Sequence, residues 1–418
     1  MSLKSIFSLK RKKNIVAVLD IGSSKICCLV AEFEQNGDFK VIGVGHQISL
    51  GFKNGFITDL VALESSIINV VESAEKSAGV SINKVVITFS GSGVHSVVVR
   101  SGIKLMGGVE DGDLSNVVRS AISKIDQDRN EILHCFPLEY RVNDANGIKN
   151  PMGIYAETLT TTLSLVVMPS ANLLNIVNCI ARCHLDVEEV IASPYSSIYS
   201  LLTDEELEIG TTLIDIGSTT TSFLIWRDNQ LLAIGDIPMG GYHITNDIAK
   251  VLSTNFQTAE RIKILHSRAI SSYSDQHKMI DIPVNSADYE GRDMESISCL
   301  MLNEIVAARV NEIFESVRKA ILKLVPDETV LKRVVLTGGT AQLMDIAECA
   351  TQIIGPKVRI AKSLVPDGVL RDNRIVFYAS AIGCLYHQQK RSKDDQPSGF
   401  YGKKSASEKL LDWFKAYM

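Results

Sequence analysis

The sequence predicts an α/β protein built from two similar halves, because one short pattern occurs twice along the chain. Residues 16–25 read VAVLDIGSSK, and residues 212–221 read TLIDIGSTTT. Each copy has an apolar run typical of a buried strand, followed by Asp, Gly and several hydroxyl side chains. A second strand-like stretch follows each copy, ICCLVAEF in the first half and SFLIWRD in the second. The two copies therefore predict two equivalent strand-turn-strand units.

Both turns have the composition of a phosphate-binding site. Gly22 and Gly217 let the backbone approach a ligand closely, and the residues after them offer hydroxyls and amides to phosphate oxygens. We expect Asp20 and Asp215 to lie near a magnesium ion that keeps several of its waters, and Lys25 to supply a point charge. The predicted phosphate-binding residues are Gly22, Ser23, Ser24, Lys25, Gly217, Ser218, Thr219 and Thr220.

A third glycine-rich segment, TGGT at residues 337–340, follows an apolar strand and precedes a helical pattern. Gly338 and Gly339 allow the backbone to lie against a nucleoside, and the Thr340 hydroxyl can donate or accept a hydrogen bond. The sequence contains no G-x-x-x-x-G-K-[ST] loop and no G-x-G-x-x-G after a strand. P-loop and Rossmann folds therefore lose support.

These three segments together resemble the actin, sugar-kinase and heat-shock ATPase superfamily. Within it, TNDIAKVL at residues 245–252, TAERIKI at residues 258–264 and the C-terminal segment resemble the FtsA family of bacterial division proteins. The resemblance covers nearly the whole chain. It implies an actin-like two-lobed ATPase fold with duplicated ribonuclease-H-like cores, an inserted 1C subdomain and a C-terminal amphipathic helix. It also implies ATP and Mg²⁺ as cofactors, with Glu260 and Lys263 at the ribose and adenine.

The element pattern and the resemblance together give the predicted boundaries. Residues 85–165 read as strand, strand, helix and strand, which matches the place of the 1C subdomain that contributes to self-association in the FtsA family. The other predicted parts are subdomain 1A at 1–84 and 166–205, subdomain 2A at 206–240 and 310–387, subdomain 2B at 241–309, a flexible linker at 388–404 and a membrane-targeting helix at 405–418.

Three local features carry structural expectations. Small residues after Pro194 and in the segment 377–387 predict two closely packed helices, which form either a hinge between the halves or an ordinary part of the core. The helix after Gly240 and Gly241 is expected to be capped by Thr245 or Asn246. Two isolated histidines are interpreted as structural, since neither has a visible partner in the sequence; they are His95 and His134.

Composition narrows the class of protein. The chain has 418 residues, a formal net charge of -5 and 22% charged residues, so a general nucleic-acid binder is not expected. The eight cysteines form no CxxC pair and are interpreted as reduced core thiols of a cytoplasmic protein. No stretch approaches the ~20 apolar residues of a membrane-spanning helix, and the basic N-terminus lacks the apolar core of a signal peptide.

The final segment, SASEKLLDWFKAYM, predicts an amphipathic helix beyond the charged linker. Such a helix could dock on its own protein, enter a partner's groove or lie in a membrane interface. Terminal aromatic residues together with lysines favour the membrane, and the FtsA family carries its membrane-targeting helix here. The residues expected to contact lipid are Leu410, Leu411, Trp413, Phe414, Lys415 and Tyr417.

The resemblance implies a division protein that binds ATP, polymerises and anchors the FtsZ ring to the cytoplasmic face of the inner membrane at the septum. Its expected partners are the FtsZ C-terminal peptide docked on subdomain 2B, other copies of the chain, further division proteins and membrane lipids, with no nucleic acid. Asp20 and Asp215 are the expected catalytic carboxylates of a weak ATPase. Two alternatives stay open: a PilM-like scaffold of a pilus or secretion machine, and a small-molecule kinase of the same superfamily.

Overall fold

A computed structural model describes residues 14–91, 93–283, 294–369 and 373–393. Its strands are β1 (Asn14–Ile21), β2 (Lys25–Phe33), β3 (Phe39–Ile48), β4 (Phe52–Lys53), β5 (Phe56–Ile57), β6 (Lys84–Phe89), β7 (His95–Gly108), β8 (Asn130–Val142), β9 (Ala145–Ile148), β10 (Tyr155–Pro169), β11 (Asp186–Ala192), β12 (Thr211–Ile216), β13 (Thr221–Arg227), β14 (Gln230–Ile237), β15 (Met279–Pro283), β16 (Met294–Ser298), β17 (Val334–Thr337) and β18 (Val358–Ile360). Its α-helices are α1 (Leu60–Ala78), α2 (Asp111–Ile122), α3 (Ser170–Arg182), α4 (Ser193–Leu201), α5 (Asp204–Ile209), α6 (Gly241–Val251), α7 (Phe256–His266), α8 (Cys299–Leu324), α9 (Ile346–Ile353) and α10 (Ala379–Lys393).

The duplication predicted from the two turns is confirmed by the sheets. The first lobe contains a five-stranded sheet of order β11-β6-β1-β2-β3, and the second contains one of order β14-β13-β12-β17-β18. In the first sheet β1, β2 and β3 are antiparallel, while β6 runs parallel to β1. The second sheet repeats this arrangement, with β12, β13 and β14 antiparallel and β17 parallel to β12. Each lobe therefore carries the same strand-turn-strand unit at the centre of its sheet.

Along the chain, an inserted sheet of order β7-β10-β8-β9 separates the two parts of the first lobe. Helix α2 packs on this sheet, and Leu114, Val117, Leu159 and Leu163 belong to a hydrophobic core separate from the cores of the two lobes. The sequence boundary placed the start of the insert at residue 85. Strand β6 pairs instead with β1 and β11 in the first-lobe sheet, so the insert begins after Phe89.

The second lobe surrounds its sheet with helices, and its core joins apolar residues of β12 and β13 to α8. The predicted boundary at residue 309 falls inside α8, which is continuous from Cys299 to Leu324 because apolar residues at helical spacing face the core along its length. Strands β15 and β16 form a separate two-stranded sheet beside this helix. No helix within the described ranges is long and apolar enough to cross a membrane.

Helices α4 and α10 pack closely, as their small residues predicted. The Ser200 hydroxyl donates to the Ala379 carbonyl at 2.7 Å, and the Ser196 and Ser380 hydroxyls lie 3.1 Å apart. A side chain at Gly383 would overlap the Ser196 carbonyl oxygen, so glycine lets the two backbones approach. These contacts confirm the packing of the two helices, while the hinge role stays a prediction.

Helix α10 continues further than the sequence indicated. The linker was expected from residue 388, but residues 388–393 are helical, and two of their side chains contact a buried carboxylate. Gln388 donates to Glu189 at 2.7 Å, and Arg391 donates to the same carboxylate at 2.6 Å. The remainder of the predicted linker and the membrane helix, with Leu410, Leu411, Trp413, Phe414, Lys415 and Tyr417, lie outside the described residues.

Candidate functional site

The two glycine turns have the same hydrogen-bonding geometry and meet each other across the cleft between the lobes. The Gly22 amide donates to the Lys25 carbonyl at 3.0 Å, and the Gly217 amide donates to the Thr220 carbonyl at the same distance. The Thr219 hydroxyl donates to the Ser23 hydroxyl at 2.9 Å, which joins one turn to the other. The residues that the sequence assigned to one phosphate site are therefore brought together.

A short hairpin, formed by β4 and β5, closes one side of this meeting point. The amide of Asn54, at the tip of the hairpin, donates to the Thr219 hydroxyl at 3.1 Å. The Lys53 ammonium lies 4.1 Å from the ring centroid of Tyr242, which belongs to the second lobe. Sequence reasoning missed this hairpin, because its residues carry no phosphate pattern and only the fold places them beside the turns.

Two carboxylates lie where the central strands end. Asp20 accepts a hydrogen bond from the Thr88 hydroxyl at 2.7 Å. Burial raises the pKa of Asp20, and the nearby positive charge of Lys25 partly offsets the increase. Burial and the negative charge of Asp20 raise the pKa of Asp215 to about 6, while Lys25 again lowers it. Two carboxylates facing one ammonium leave this end of the cleft favourable to an additional cation.

The ammonium of Lys25 is held by the segment that enters α10. It donates a hydrogen bond to the carbonyl of Phe377 and lies 4.4 Å from the centroid of that ring. Burial lowers the pKa of Lys25, and the negative charges of Asp20 and Asp215 counteract this decrease. The side chain thus places a positive charge near both carboxylates, while its contact with phosphate stays a prediction.

The TGGT segment packs directly against the second turn. Gly338 adopts φ +93 and ψ 167, a region that glycine alone adopts readily, and a Cβ there would overlap the Asp215 carboxylate. Gly339 is exposed, and the atom nearest to a Cβ on it would be a ring carbon of Phe377 at 3.6 Å. The Thr340 hydroxyl donates to the Gly217 carbonyl at 3.1 Å, so it supports the turn from within the protein.

Helix α6 begins at the second turn, earlier than the sequence indicated. Its N-cap is Gly240, whereas the expected caps Thr245 and Asn246 lie inside the helix. The Gly241 amide donates to the Gly217 carbonyl at 3.0 Å, and a Cβ on Gly240 would lie 2.6 Å from the same oxygen. This close approach requires Gly240, and a Cβ on Gly241 would overlap the Thr340 hydroxyl oxygen. The sequence alone did not reveal either constraint.

Glu260 and Lys263, three residues apart, lie on one face of α7 and reach toward the start of α6. The buried Lys263 ammonium donates to the Glu260 carboxylate at 2.7 Å, to the Thr245 hydroxyl at 2.8 Å and to the Gly241 carbonyl at 3.2 Å. Burial lowers the pKa of Lys263, whereas Glu260 raises it. Lys263 therefore fastens α7 to α6, while the Glu260 side chain remains 39% exposed.

The residues at this cleft fit a nucleotide with Mg²⁺. A Cβ on Gly22 or Gly217 would lie 3.0 or 2.9 Å from a carbonyl oxygen of its own turn, so glycine permits these tight turns. A Cβ on Gly339 would make only ordinary contact, at 3.6 Å, so space remains beside the TGGT loop. The part of the chain that the structure describes contains no cluster of three or more His, Cys, Asp or Glu suited to a metal. A pair of carboxylates nevertheless suits Mg²⁺, which binds through one or two carboxylates, its own waters and phosphate oxygens.

The other candidate groups have structural environments. The Nε2 atom of His134 accepts a hydrogen bond from the Ala192 amide at 3.1 Å, and burial lowers the pKa of this histidine to about 3. His95 contacts the Gly93 carbonyl through Nδ1 at 2.9 Å. All eight cysteines are free thiols, most of them buried. Neither histidine lies among the residues of the two turns.

Comparison with known proteins gives matches along most of the chain. The model for "Cell division protein FtsA" matches residues 212–383, and the model for "SHS2 domain inserted in FTSA" matches residues 91–167, the region of the inserted sheet. The cell division protein FtsA of Agrobacterium fabrum is 34% identical over 91% of this chain and 88% of its own length. The FtsA protein of Borreliella burgdorferi is 30% identical and covers 96% of this chain and 98% of its own length. The FtsA protein of Escherichia coli K12 is 30% identical over 90% of each chain.

Solved structures match the overall architecture. The PilM-PilN type IV pilus biogenesis complex has a TM-score of 0.62 at 14% identity and covers 90% of this chain and 98% of its own. MreB5 of Spiroplasma citri bound to ADP has a TM-score of 0.55 at 12% identity, and the match covers 91% of this chain and 98% of MreB5. At these identities the likeness concerns the fold alone, and it confirms the predicted actin-like two-lobed architecture.

Proposed function

The chain belongs to the FtsA family of cell division proteins, and from that premise we propose that it binds ATP, polymerises and anchors the FtsZ ring to the membrane. The nucleotide would lie between the lobes, with its phosphates at the two glycine turns. The observation that carries this proposal is the link from Thr219 to Ser23, because it brings both predicted turns to one place. The same placement lets a polyphosphate contact both lobes at once.

Each phosphate-site residue has a role that its environment supports. Ser23, Ser24, Ser218, Thr219 and Thr220 would offer hydroxyls and amides to phosphate oxygens, with Gly22 and Gly217 allowing the approach. Lys25 would exchange its bond to the Phe377 carbonyl for contact with phosphate, which is a stronger acceptor because it is charged.

Asp20 and Asp215 would act in hydrolysis through metal-bound water. Mg²⁺, when bound, neutralises charge on the phosphate oxygens. Asp20 is already oriented by Thr88 and so offers a fixed acceptor. Asp215 lies at the equivalent end of β12 and would accept hydrogen bonds from the waters that Mg²⁺ keeps. We expect the ATPase activity to be weak.

The nucleoside would lie between α7 and the TGGT segment. Glu260 has an exposed carboxylate that can accept from ribose hydroxyls, and Lys263 holds it in place. Gly339 is open on the side where a nucleoside would approach, and Gly338 shapes the loop. Thr340 would act by supporting Gly217 rather than through its own contact.

Membrane attachment would come from the C-terminal segment. Each partly buried apolar side chain contributes at most ~1.5 to 3 kcal/mol, and each basic residue near anionic lipid adds ~1 kcal/mol. These gains must offset the cost of folding a short helix, so one copy alone binds marginally. Filaments present many copies, which raises the avidity by ~100-fold or more without new contacts per chain.

The proposed partners follow from this location. The C-terminal peptide of FtsZ would dock on the second lobe within residues 241–309, and other copies of the chain would extend the filament. The protein would act with further division proteins at the septum, on the cytoplasmic face of the inner membrane. Family membership favours this role over a PilM-like scaffold and over a small-molecule kinase, the two alternatives that the sequence left open.

Co-sedimentation with anionic liposomes tests the proposal. The intact chain would be compared with a chain ending at Lys404, each with and without ATP and Mg²⁺. We expect lipid pelleting of the intact chain alone, increased by ATP. If both chains remain in the supernatant under every condition, the terminal helix is not a membrane anchor; ATP-independent pelleting would separate attachment from assembly.

A further inference from the structure

The internal duplication places a threonine beside each of the two carboxylates. In the parallel pair of β1 and β6, Asp20 is opposite Thr88, and in the parallel pair of β12 and β17, Asp215 is opposite Thr337. Neighbouring strands lie about 4.8 Å apart, and directly paired residues project to the same face of a sheet. Each threonine is therefore the direct neighbour of its aspartate on the parallel side, while Cys27 and Ser222 are paired with Asp20 and Asp215 on the antiparallel side.

The two threonines differ in what they contact. The Thr88 hydroxyl donates to Asp20 at 2.7 Å. Thr337 is equally buried, with 2% of its surface exposed, yet its hydroxyl has no hydrogen-bond partner among the described residues. A buried hydroxyl without a partner is unfavourable and uncommon in proteins, so a functional explanation is sought for it. In the first lobe the threonine hydroxyl therefore donates to the aspartate, whereas in the second lobe the equivalent hydroxyl donates to no described residue.

We propose that Thr337 is a positioning residue for Asp215, and that its hydroxyl donates to this carboxylate when ATP and Mg²⁺ occupy the cleft. The inference rests on the proposed nucleotide site. Paired side chains on neighbouring strands can meet by rotation about their Cα–Cβ bonds, so no backbone movement is needed. The bound state would then give Asp215 the same support that Asp20 has from Thr88.

A hydrogen bond from Thr337 would orient the Asp215 carboxylate beside a bound metal ion. Carboxylates at metal sites usually accept a further hydrogen bond from a neighbouring group, which fixes their orientation. The charged groups near Asp215 are Asp20 and Lys25, and in the nucleotide-bound state the Lys25 ammonium would contact phosphate. Thr337 therefore provides a neutral donor on the strand directly beside Asp215.

The test uses variants that separate the hydroxyl from the shape of the side chain. Thr337→Val removes the hydroxyl and keeps the volume, and Thr337→Ser keeps the hydroxyl. Thr88→Val is the matched control, since it removes a hydrogen bond that is already formed. ATP affinity would be measured by titration with and without Mg²⁺, and thermal unfolding would be measured without nucleotide.

We expect Thr337→Val to weaken binding of ATP with Mg²⁺ by about tenfold, the value for one hydrogen bond to a charged group, and Thr337→Ser to restore it. The unfolding temperature of the nucleotide-free Thr337→Val variant should be unchanged or higher, because no bond is lost. Thr88→Val should lower it. In an Asp215→Asn background, Thr337→Val should have little further effect on affinity, because the two residues act as a pair.

The outcomes separate the inference from the function on which it rests. If the unmodified chain binds ATP and Thr337→Val binds equally well, the positioning role is wrong and the nucleotide site stands. An equal loss with and without Mg²⁺, or one that persists in the Asp215→Asn background, also overturns the role. If the unmodified chain binds no ATP, the proposed site itself fails.

Discussion

Replacing Gly338 by Ala tests the geometry of the TGGT loop, with Gly339→Ala as the adjacent control. Gly338 has φ +93 and ψ 167, where a residue with a Cβ is strained by about 1–3 kcal/mol. The new Cβ would also lie 2.5 Å from the Ile216 carbonyl oxygen and overlap the Asp215 carboxylate. Gly339→Ala meets only ordinary contact, with the nearest atom at 3.6 Å.

Thermal unfolding without nucleotide and ATP titration together distinguish the two variants. Gly338→Ala should lower the unfolding temperature by several degrees, since about 1 kcal/mol corresponds to about 2–4 °C in domains of 150–250 residues. Gly339→Ala should leave this temperature nearly unchanged and weaken ATP binding, because its methyl group occupies the open side of the loop. Equal stability of both variants would refute the geometric account of Gly338. Unchanged ATP affinity in Gly339→Ala would refute a nucleoside at this loop.

Three further changes probe charges at the site and at the end of α10. Lys25→Ala should weaken ATP binding about 10- to 100-fold, as measured by titration, because a charged contact to phosphate is lost. Asp215→Asn should raise the unfolding temperature of the nucleotide-free protein near pH 7.5 but have little effect near pH 4. Its pKa rises from 3.8 to about 6 on folding, so the stability this carboxyl provides at low pH is lost as the pH rises between those values. Arg391→Gln should lower the free energy of unfolding by about 3–5 kcal/mol in denaturant titration, because it leaves Glu189 buried without its ion-pair partner.

Lys53→Ala is the matched control for Lys25→Ala, and Arg182→Ala is the matched control for Arg391→Gln. Lys53→Ala removes an exposed lysine of the same cleft, whose contact with the Tyr242 ring contributes about 0.5–1 kcal/mol, so its effect on ATP affinity should be smaller than that of Lys25→Ala. Arg182→Ala removes a more exposed ion pair with Glu64 and should cost about 0–1 kcal/mol. Equal effects within either pair would contradict the burial and placement described for Lys25 and Arg391. A stability gain in Asp215→Asn that does not depend on pH would contradict the raised pKa.

The fold was predictable where the chain repeats itself. The two Asp-x-Gly turns indicated equivalent halves, and the matching strand orders confirm them. The small residues of α4 and α10 likewise predicted the packing that is observed. These features are local, so the sequence near each one contains the information that determines it.

The errors occur where distant residues decide the structure. The start of the insert depends on the pairing of β6 with β1, and the end of α10 depends on Glu189, about 200 positions earlier. Helix α6 begins at Gly241 because the second turn accepts its first amides, which local capping preference could not show. The hairpin at Asn54 and the unpaired Thr337 hydroxyl were missed for the same reason.

The central claim is that both turns bind the same nucleotide. Titration of the intact chain with ATP and Mg²⁺ would be compared with Lys25→Ala in the first lobe and Thr219→Ala in the second. The account predicts one nucleotide per chain and a marked loss of affinity in both variants, because Thr219 lies 2.9 Å from Ser23 across the cleft. Affinity that falls in one variant and stays unchanged in the other would contradict a shared site.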